Sequence, residues 1–282
     1  MKQFGGFPEA LYSKDKAAVV ILPIPFDQTS TWMPGSDKGP NAIIEASEIL
    51  EYFDIETQSE VCERGFWTES PIESNDPEKM IERAYLITKR YLSKGQMVVA
   101  LGGEHTVSIG PAKAYAEHFH GLSVLQLDAH SDLRDEYLGS KYNHACTMMR
   151  IMEFAPLVQV GIRSMEKHHE SLNPGRIYYA ERIHNQTEWM QQAIDQLSEN
   201  VYITIDLDAF DPSVILATGT PNPGGLQWYQ TLTFLKKVCE QKNVVGFDVV
   251  ELCPHPEIKA SDFIAAKLIY KLISYILELP KK

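Results

Sequence analysis

Asp128, His130 and Asp132 occupy alternate positions in "LQLDAHSDL" (125–133), immediately after a run of apolar residues. In extended backbone, side chains at i, i+2 and i+4 project to one side, about 6.5 Å apart per pair, so all three can converge on one point. Two carboxylates and an imidazole in one place suit a cation. The same residue types also serve a polar turn after a strand, where Asp and Ser accept backbone amides. The segment therefore has to be read together with others like it. "LGGEHTVS" places Glu104 and His105 behind two glycines, where the backbone can turn tightly and bring a side chain close to an ion. "ITIDLDAFDP" sets Asp206 and Asp208 at alternate positions, and "GFDVVELCP" ends another apolar run on Glu251. Each has an ordinary reading alone: Glu near a helix start suits the helix dipole, the "DLD" pair could cap, and Asp211 before Pro212 is a turn residue. Two histidines and four aspartates in one kind of setting are too many for separate accidents.

That setting is the end of a strand. Apolar runs at 17–24, 97–103, 122–128, 157–163, 200–208 and 243–252 read as buried strands. Between them, segments 76–95, 187–200 and 227–241 repeat apolar residues at three- and four-residue spacing, as helices do. Strands alternating with helices imply parallel crossovers and an α/β/α sandwich. Ligands of such sheets sit in the crevice beyond the carboxyl ends of the strands, where all four polar segments would meet.

Of the 282 residues, 44% are hydrophobic, enough for a substantial core, and no linker or repeat divides them, so a single domain over 1–282 is expected. A formal charge of −12 argues against a nucleic-acid or anionic-membrane surface and is compatible with a cationic ligand. Cys62, Cys146, Cys239 and Cys253 form no CxxC pair, which suits reduced thiols in a cytoplasmic protein. The first residues lack a signal-peptide pattern, and 260–279 reads as a packed helix, not a membrane element.

The blocks "GSDKGPNAI", "GGEHTVS", "DAHSDLRD", "IDLDAFDPS", "GTGTPNPGGL" and "GFDVVEL", in this order, resemble the signatures of the ureohydrolases, the arginase and agmatinase family. The resemblance covers most of the chain. It implies a mainly parallel eight-stranded sheet, two Mn2+ per chain and a homo-oligomer, trimer or hexamer. It also implies that one ion is held by His105, Asp128, Asp132 and Asp206, and the second by Asp128, His130, Asp206 and Asp208. Carboxylate-rich donors with few imidazoles fit Mn(II), with nickel, cobalt and zinc remaining compatible.

Two divalent ions, four aspartates and a hydroxide leave such a site slightly negative, so it should attract a cation. The reaction implied is attack of a bridging hydroxide on a guanidinium carbon, giving urea and an amine. By resemblance, Glu251 anchors the guanidinium, Asp132 accepts a hydrogen bond from the hydroxide, and His144 in "KYNHACTMMR" carries protons. "NHAC" resembles the "SHAC" segment of many agmatinases, and no segment resembling the α-carboxylate and α-amine grip of arginases is present. A small cationic guanidino substrate, agmatine, is therefore expected. The alternatives are 4-guanidinobutanoate, whose carboxylate could pair with Arg134 or Lys141, arginine, formiminoglutamate, and a non-catalytic metal-bound scaffold. Trp32 and Met33 could line the entrance, and Cys146 reads as a small buried thiol.

Overall fold

The six long apolar runs are strands with their side chains buried on both faces, as expected where helices cover a parallel sheet on either side. They are seen in a computed structural model that describes residues 2–280; Met1, Lys281 and Lys282 lie outside the described residues. With two short strands they are β1 Val19–Ile24, β2 Phe66–Thr68, β3 Met97–Gly102, β4 Ser123–Leu127, β5 Leu157–Ile162, β6 Ile177–Tyr179, β7 Asn200–Asp206 and β8 Asn243–Val250. They form one sheet in the order β2-β1-β3-β8-β7-β4-β5-β6, every pairing parallel. The edge strands β2 and β6 were not legible in the sequence, because three residues are too few to show a period.

The helices are α1 Gly39–Ser47, α2 Pro77–Leu92, α3 Ile109–His118, α4 Thr147–Met152, α5 Ala180–Ile183, α6 Glu188–Asp195, α7 Trp228–Gln241 and α8 Ala260–Glu278. The period of two along each strand divides its side chains between two cores. In β1, Val19 and Ile21 join residues of α1, α6, α7 and α8, whereas Val20, Leu22 and Ile24 join residues of α2, α3 and α4. The result is the expected α/β/α sandwich.

Local chemistry sets the helix ends. Asp76 caps α2 by accepting from the Lys79 N–H at 3.1 Å, Pro77 opens the helix, and Lys89 and Arg90 lie in its last turn. A reciprocal Gln227–Gln230 capping box opens α7. The apolar segment near the carboxyl end is a packed helix, α8. Its Lys271 is buried and paired with Asp54 at 2.9 Å and Glu56 at 3.0 Å. Among the described residues, no helix is long and apolar enough to cross a membrane.

This topology places the four chemistry-bearing strands side by side at the centre, in the order β3-β8-β7-β4. Their carboxyl ends open on one crevice. The turn out of β3 is tightly held: Gly103 N–H donates to Ile24 O, Glu104 N–H to Phe26 O, and the Gly103 carbonyl accepts from Glu251 N–H at 2.7 Å. A Cβ on Gly103 would lie 2.1 Å from the Phe26 carbonyl oxygen. Gly103→Ala should therefore cost about 1–3 kcal/mol by overpacking and lower Tm by several degrees in calorimetry. An unchanged Tm would mean that this turn has freedom the packing denies it.

Candidate active site

Each central strand delivers its polar residues through a specific backbone device. After β4, Asp128 N–H still bonds to Val160 O at 3.1 Å, but the pleat does not continue, and Asp132 adopts a left-handed φ of +50°. The convergence expected from an extended segment therefore arises differently. A continued pleat would keep Asp128, His130 and Asp132 too far apart, and the left-handed turn brings Asp132 back beside Asp128. After β7, the Asp206 carboxylate accepts from Asp208 N–H at 2.8 Å and starts a single 3-10 turn. After β8, Glu251 takes a left-handed φ of +66°, and its Oε1 accepts from His105 N–H at 2.9 Å. Two non-glycine residues in this sparsely populated region, both facing one crevice, mark a functional site.

The side chains form two overlapping groups. His105, Asp128 and Asp132 offer ligand atoms all within 4.8 Å of one another, as do Asp128, His130 and Asp208. Asp128 belongs to both. His105 Nδ1 lies 3.1 Å from Asp128, 3.1 Å from Asp132 and 3.5 Å from Asp206, yet it is buried without a hydrogen-bond partner. His130 Nδ1 is 3.0 Å from Asp208 and 3.6 Å from Asp128. An orphaned imidazole nitrogen facing three carboxylates fits a divalent cation, and the oxygen-rich donor set suits a hard one.

Electrostatics point the same way. Burial, then repulsion from Asp208 and Asp128, holds the Asp206 carboxyl well above the usual range, and burial with Asp128 lifts Asp132 to about 6. Burial would lower His130, but Asp208 and Asp128 outweigh it and push the ring up to about 12; against the same burial, Asp128, Asp132 and Asp206 hold His105 well above its ordinary value. In isolation the imidazoles must carry the positive charge that the carboxylates demand. Desolvation, then the neighbouring Glu104, also raises Glu251 well above its ordinary value, so a cation beside it would be strongly favoured.

Behind these residues lies a ring of buried supports. Thr204 bridges His105 Nε2, at 2.9 Å, to Asp248, at 2.6 Å, and Ser108 and Tyr202 also donate to Asp248. A chain of buried amides runs Asn173 to Gln159 to Gln126 to Asp128, with Gln126 Nε2 donating to Asp128 Oδ2 at 2.7 Å. Such outer partners fix the direction of a ligand's lone pairs.

The crevice is lined by Trp32, Met33, His130, Asp132, Arg134, Tyr137, His144, Asp206, Asp208, Gly219 and Glu251, among others. Of the residues expected from the sequence to act in the site, His105 and Asp128 lie in the ligand groups and the others line this crevice, except Lys141, which is exposed beside Asp135. His144, half-buried, is pushed down to about 4 by burial and then by His130 and His105, and its neutral ring can accept a proton. Trp32 is 74% exposed at the mouth, and Cys146 is buried with burial raising its thiol to about 11, unsuited to nucleophilic work. Taken alone, Glu104 reads as a helix-start residue, and it does precede the 3-10 turn His105–Ser108. Its side chain makes no capping bond, however; its carboxylate is wholly buried and takes the Thr29 N–H at 3.0 Å and the Thr29 hydroxyl. Thr29 in turn touches His144. Thr29 carries no motif of its own, and the position of Glu104 beside His105 was the single available signal. An adjoining cavity of about 190 Å³ shares His130, Asp132, Arg134 and Ala145 with the crevice and adds Glu166 and His169.

A family model described as the Arginase family matches residues 17–274. The chain is 35% identical to an N(1)-aminopropylagmatine ureohydrolase of Synechocystis sp., over 95% of this chain and 92% of the relative. It is 31% identical to an agmatinase of Pyrococcus horikoshii, over 91% of each chain. Among solved structures, the agmatine ureohydrolase of Thermoplasma volcanium superposes with a TM-score of 0.88 at 28% identity, covering 99% of this chain and 95% of the other.

Because Gln126 directs the buried face of Asp128, Gln126→Leu should leave the fold intact and weaken Mn2+ binding about 10–100-fold in calorimetric titration. Wild-type affinity in this variant would remove the amide chain from the account.

Proposed function

The chain belongs to the arginase family, and on that premise we propose that it is a metal-dependent ureohydrolase of guanidino-amines in the agmatine series. The observation that carries the cationic tail is a charge balance. Among the described residues, Arg134 is the one Lys or Arg lining the crevice, and it is already paired with Glu166 at 2.7 Å and lies over the Tyr137 ring. Lys141, the other residue read as a carboxylate partner, is 3.6 Å from Asp135. A substrate carboxylate, as in arginine or 4-guanidinobutanoate, would enter an acidic crevice with no free cation to meet it.

His105, Asp128, Asp132 and Asp206 would hold one Mn2+, and Asp128, His130, Asp206 and Asp208 the other. When bound, the ions supply Lewis acidity and a hydroxide nucleophile near neutral pH. Glu251 Oε1 is occupied by the His105 N–H, which leaves Oε2 for a charge-assisted bond to the guanidinium. Gly219 keeps the approach to Oε2 open, since a Cβ there would lie 3.7 Å from it. Asp132 would accept a hydrogen bond from that nucleophile, and neutral His144 at the crevice wall would move protons to the departing amine.

Agmatine fits this reading. N1-aminopropylagmatine, which adds a second amine to the tail, is favoured in turn by the relatives of that name and by the room that the adjoining cavity offers a longer tail. A urea-release assay of the Mn2+-loaded protein against both amines, arginine and 4-guanidinobutanoate should rank the amines at least about 100-fold above the carboxylates in kcat/KM. An uncompensated buried charge costs several kcal/mol, and about 1.4 kcal/mol corresponds to a factor of ten. Equal or better turnover of a carboxylate substrate would overturn the proposed tail specificity.

A further inference from the structure

Thr29, in the loop after β1, touches both His144 and a buried carboxylate, and the chemistry described so far gives it no task. We propose that Thr29, anchored by Glu104, is a positioning residue that fixes the ring orientation and tautomer of His144 for proton transfer. The proposal rests on the reading of His144 as the proton carrier.

A hydroxyl has one proton and two lone pairs, and here all three are used. The Thr29 proton faces Glu104 Oε2, which also accepts the Thr29 backbone N–H at 3.0 Å. The lone pairs of Thr29 Oγ1 face two nitrogens of His144, the backbone N–H at 3.0 Å and ring Nδ1 at 3.2 Å. With Glu104 ionised, the only proton of Thr29 is committed to the carboxylate, and Thr29 meets Nδ1 only as an acceptor. Nδ1 therefore carries the ring hydrogen, and Nε2 is left with its lone pair to take a proton. Further contacts hold the frame: Asn143 Oδ1 accepts from Ala145 N–H at 3.1 Å, and Tyr137 packs edge-on against the ring at 6.2 Å between centroids. Neither reaches Nδ1, so the tautomer depends on Thr29. The Glu104 carboxylate is 3.8 Å from Nδ1 and also favours a proton on that nitrogen.

If Thr29 served only to pin its loop, its loss would act whether or not His144 were present. Thr29→Val keeps the shape and removes the hydroxyl, Thr29→Ala does so without the branched side chain, and Thr29→Ser keeps the hydroxyl. With Mn2+ loaded and the preferred amine as substrate, Thr29→Val and Thr29→Ala should lower kcat about tenfold, with KM within about twofold and metal content unchanged. Thr29→Ser should restore most of the rate. In a His144→Ala background, Thr29→Val should cost nothing further. Independently of any substrate, 15N-histidine NMR of the metal-free protein, assigned by difference with His144→Ala, should show His144 protonated on Nδ1 in the wild type and shifted toward the other tautomer in Thr29→Val. A full additional loss in the His144→Ala background, or an unchanged tautomer, would overturn the proposal. A wild type that released urea from no guanidino compound would instead overturn the functional reading, while the NMR result would still decide the role of Thr29.

Discussion

Buried negative charge at the centre of the sheet is the constraint on which the rest of this structure depends. Asp128, Asp132, Asp206 and Asp208 are almost fully buried beside two imidazoles, and Glu104 is sealed in the neighbouring turn. Carboxylates in that state are costly unless cations and hydrogen bonds compensate them. The surrounding protein supplies the hydrogen bonds: backbone amides of His130, Ala129 and Asp208, the Gln126 amide and the Thr220 hydroxyl all donate into the cluster. Among the described residues, Arg134 is the one Lys or Arg lining the crevice and is paired with Glu166, while the Arg163 guanidinium behind the cluster is turned to backbone carbonyls, that of Asp208 among them. A pair of divalent cations and a guanidinium would supply the positive charge.

The fold answers this demand by topology. Polar residues projecting from one strand could not surround two ions, because side chains on one face repeat only every second residue. Four adjacent parallel strands, β3, β8, β7 and β4, each contribute a short segment at the same end, and the helices on the two faces of the sheet bury the strands that carry them. Left-handed backbone at Asp132 and Glu251 then aims two carboxylates that a regular strand or helix could not deliver. The cost of those conformations, of order 1–3 kcal/mol each, is small beside what two well-packed cores contribute.

Much of this was legible in the sequence, for a physical reason. Strands buried on both faces must be continuous apolar runs, so Asp128, Asp206 and Glu251 stand out against them, and the apolar spacing of 76–95 marks a helix. The metal-bearing positions are read by residue type and by alternation, both local properties. Thr29 and the true role of Glu104 were hidden because their meaning comes from contacts across 75 and 115 residues of chain. The kink at Asp132 was hidden because a left-handed aspartate looks like any other. The pairing of Arg134 with Glu166 likewise exists only once the loops after β4 and β5 are folded together.

The central claim is that two overlapping ligand groups, joined by Asp128, hold two ions. Its most direct test is the metal stoichiometry of wild type and Asp128→Ala, measured by titrating metal-free protein with Mn2+ and by elemental analysis after removal of excess ion. The account predicts two ions per chain in the wild type and loss of both, or nearly so, in the variant. Saturation of an active wild-type enzyme at one ion, or an Asp128→Ala protein that keeps two, would contradict it.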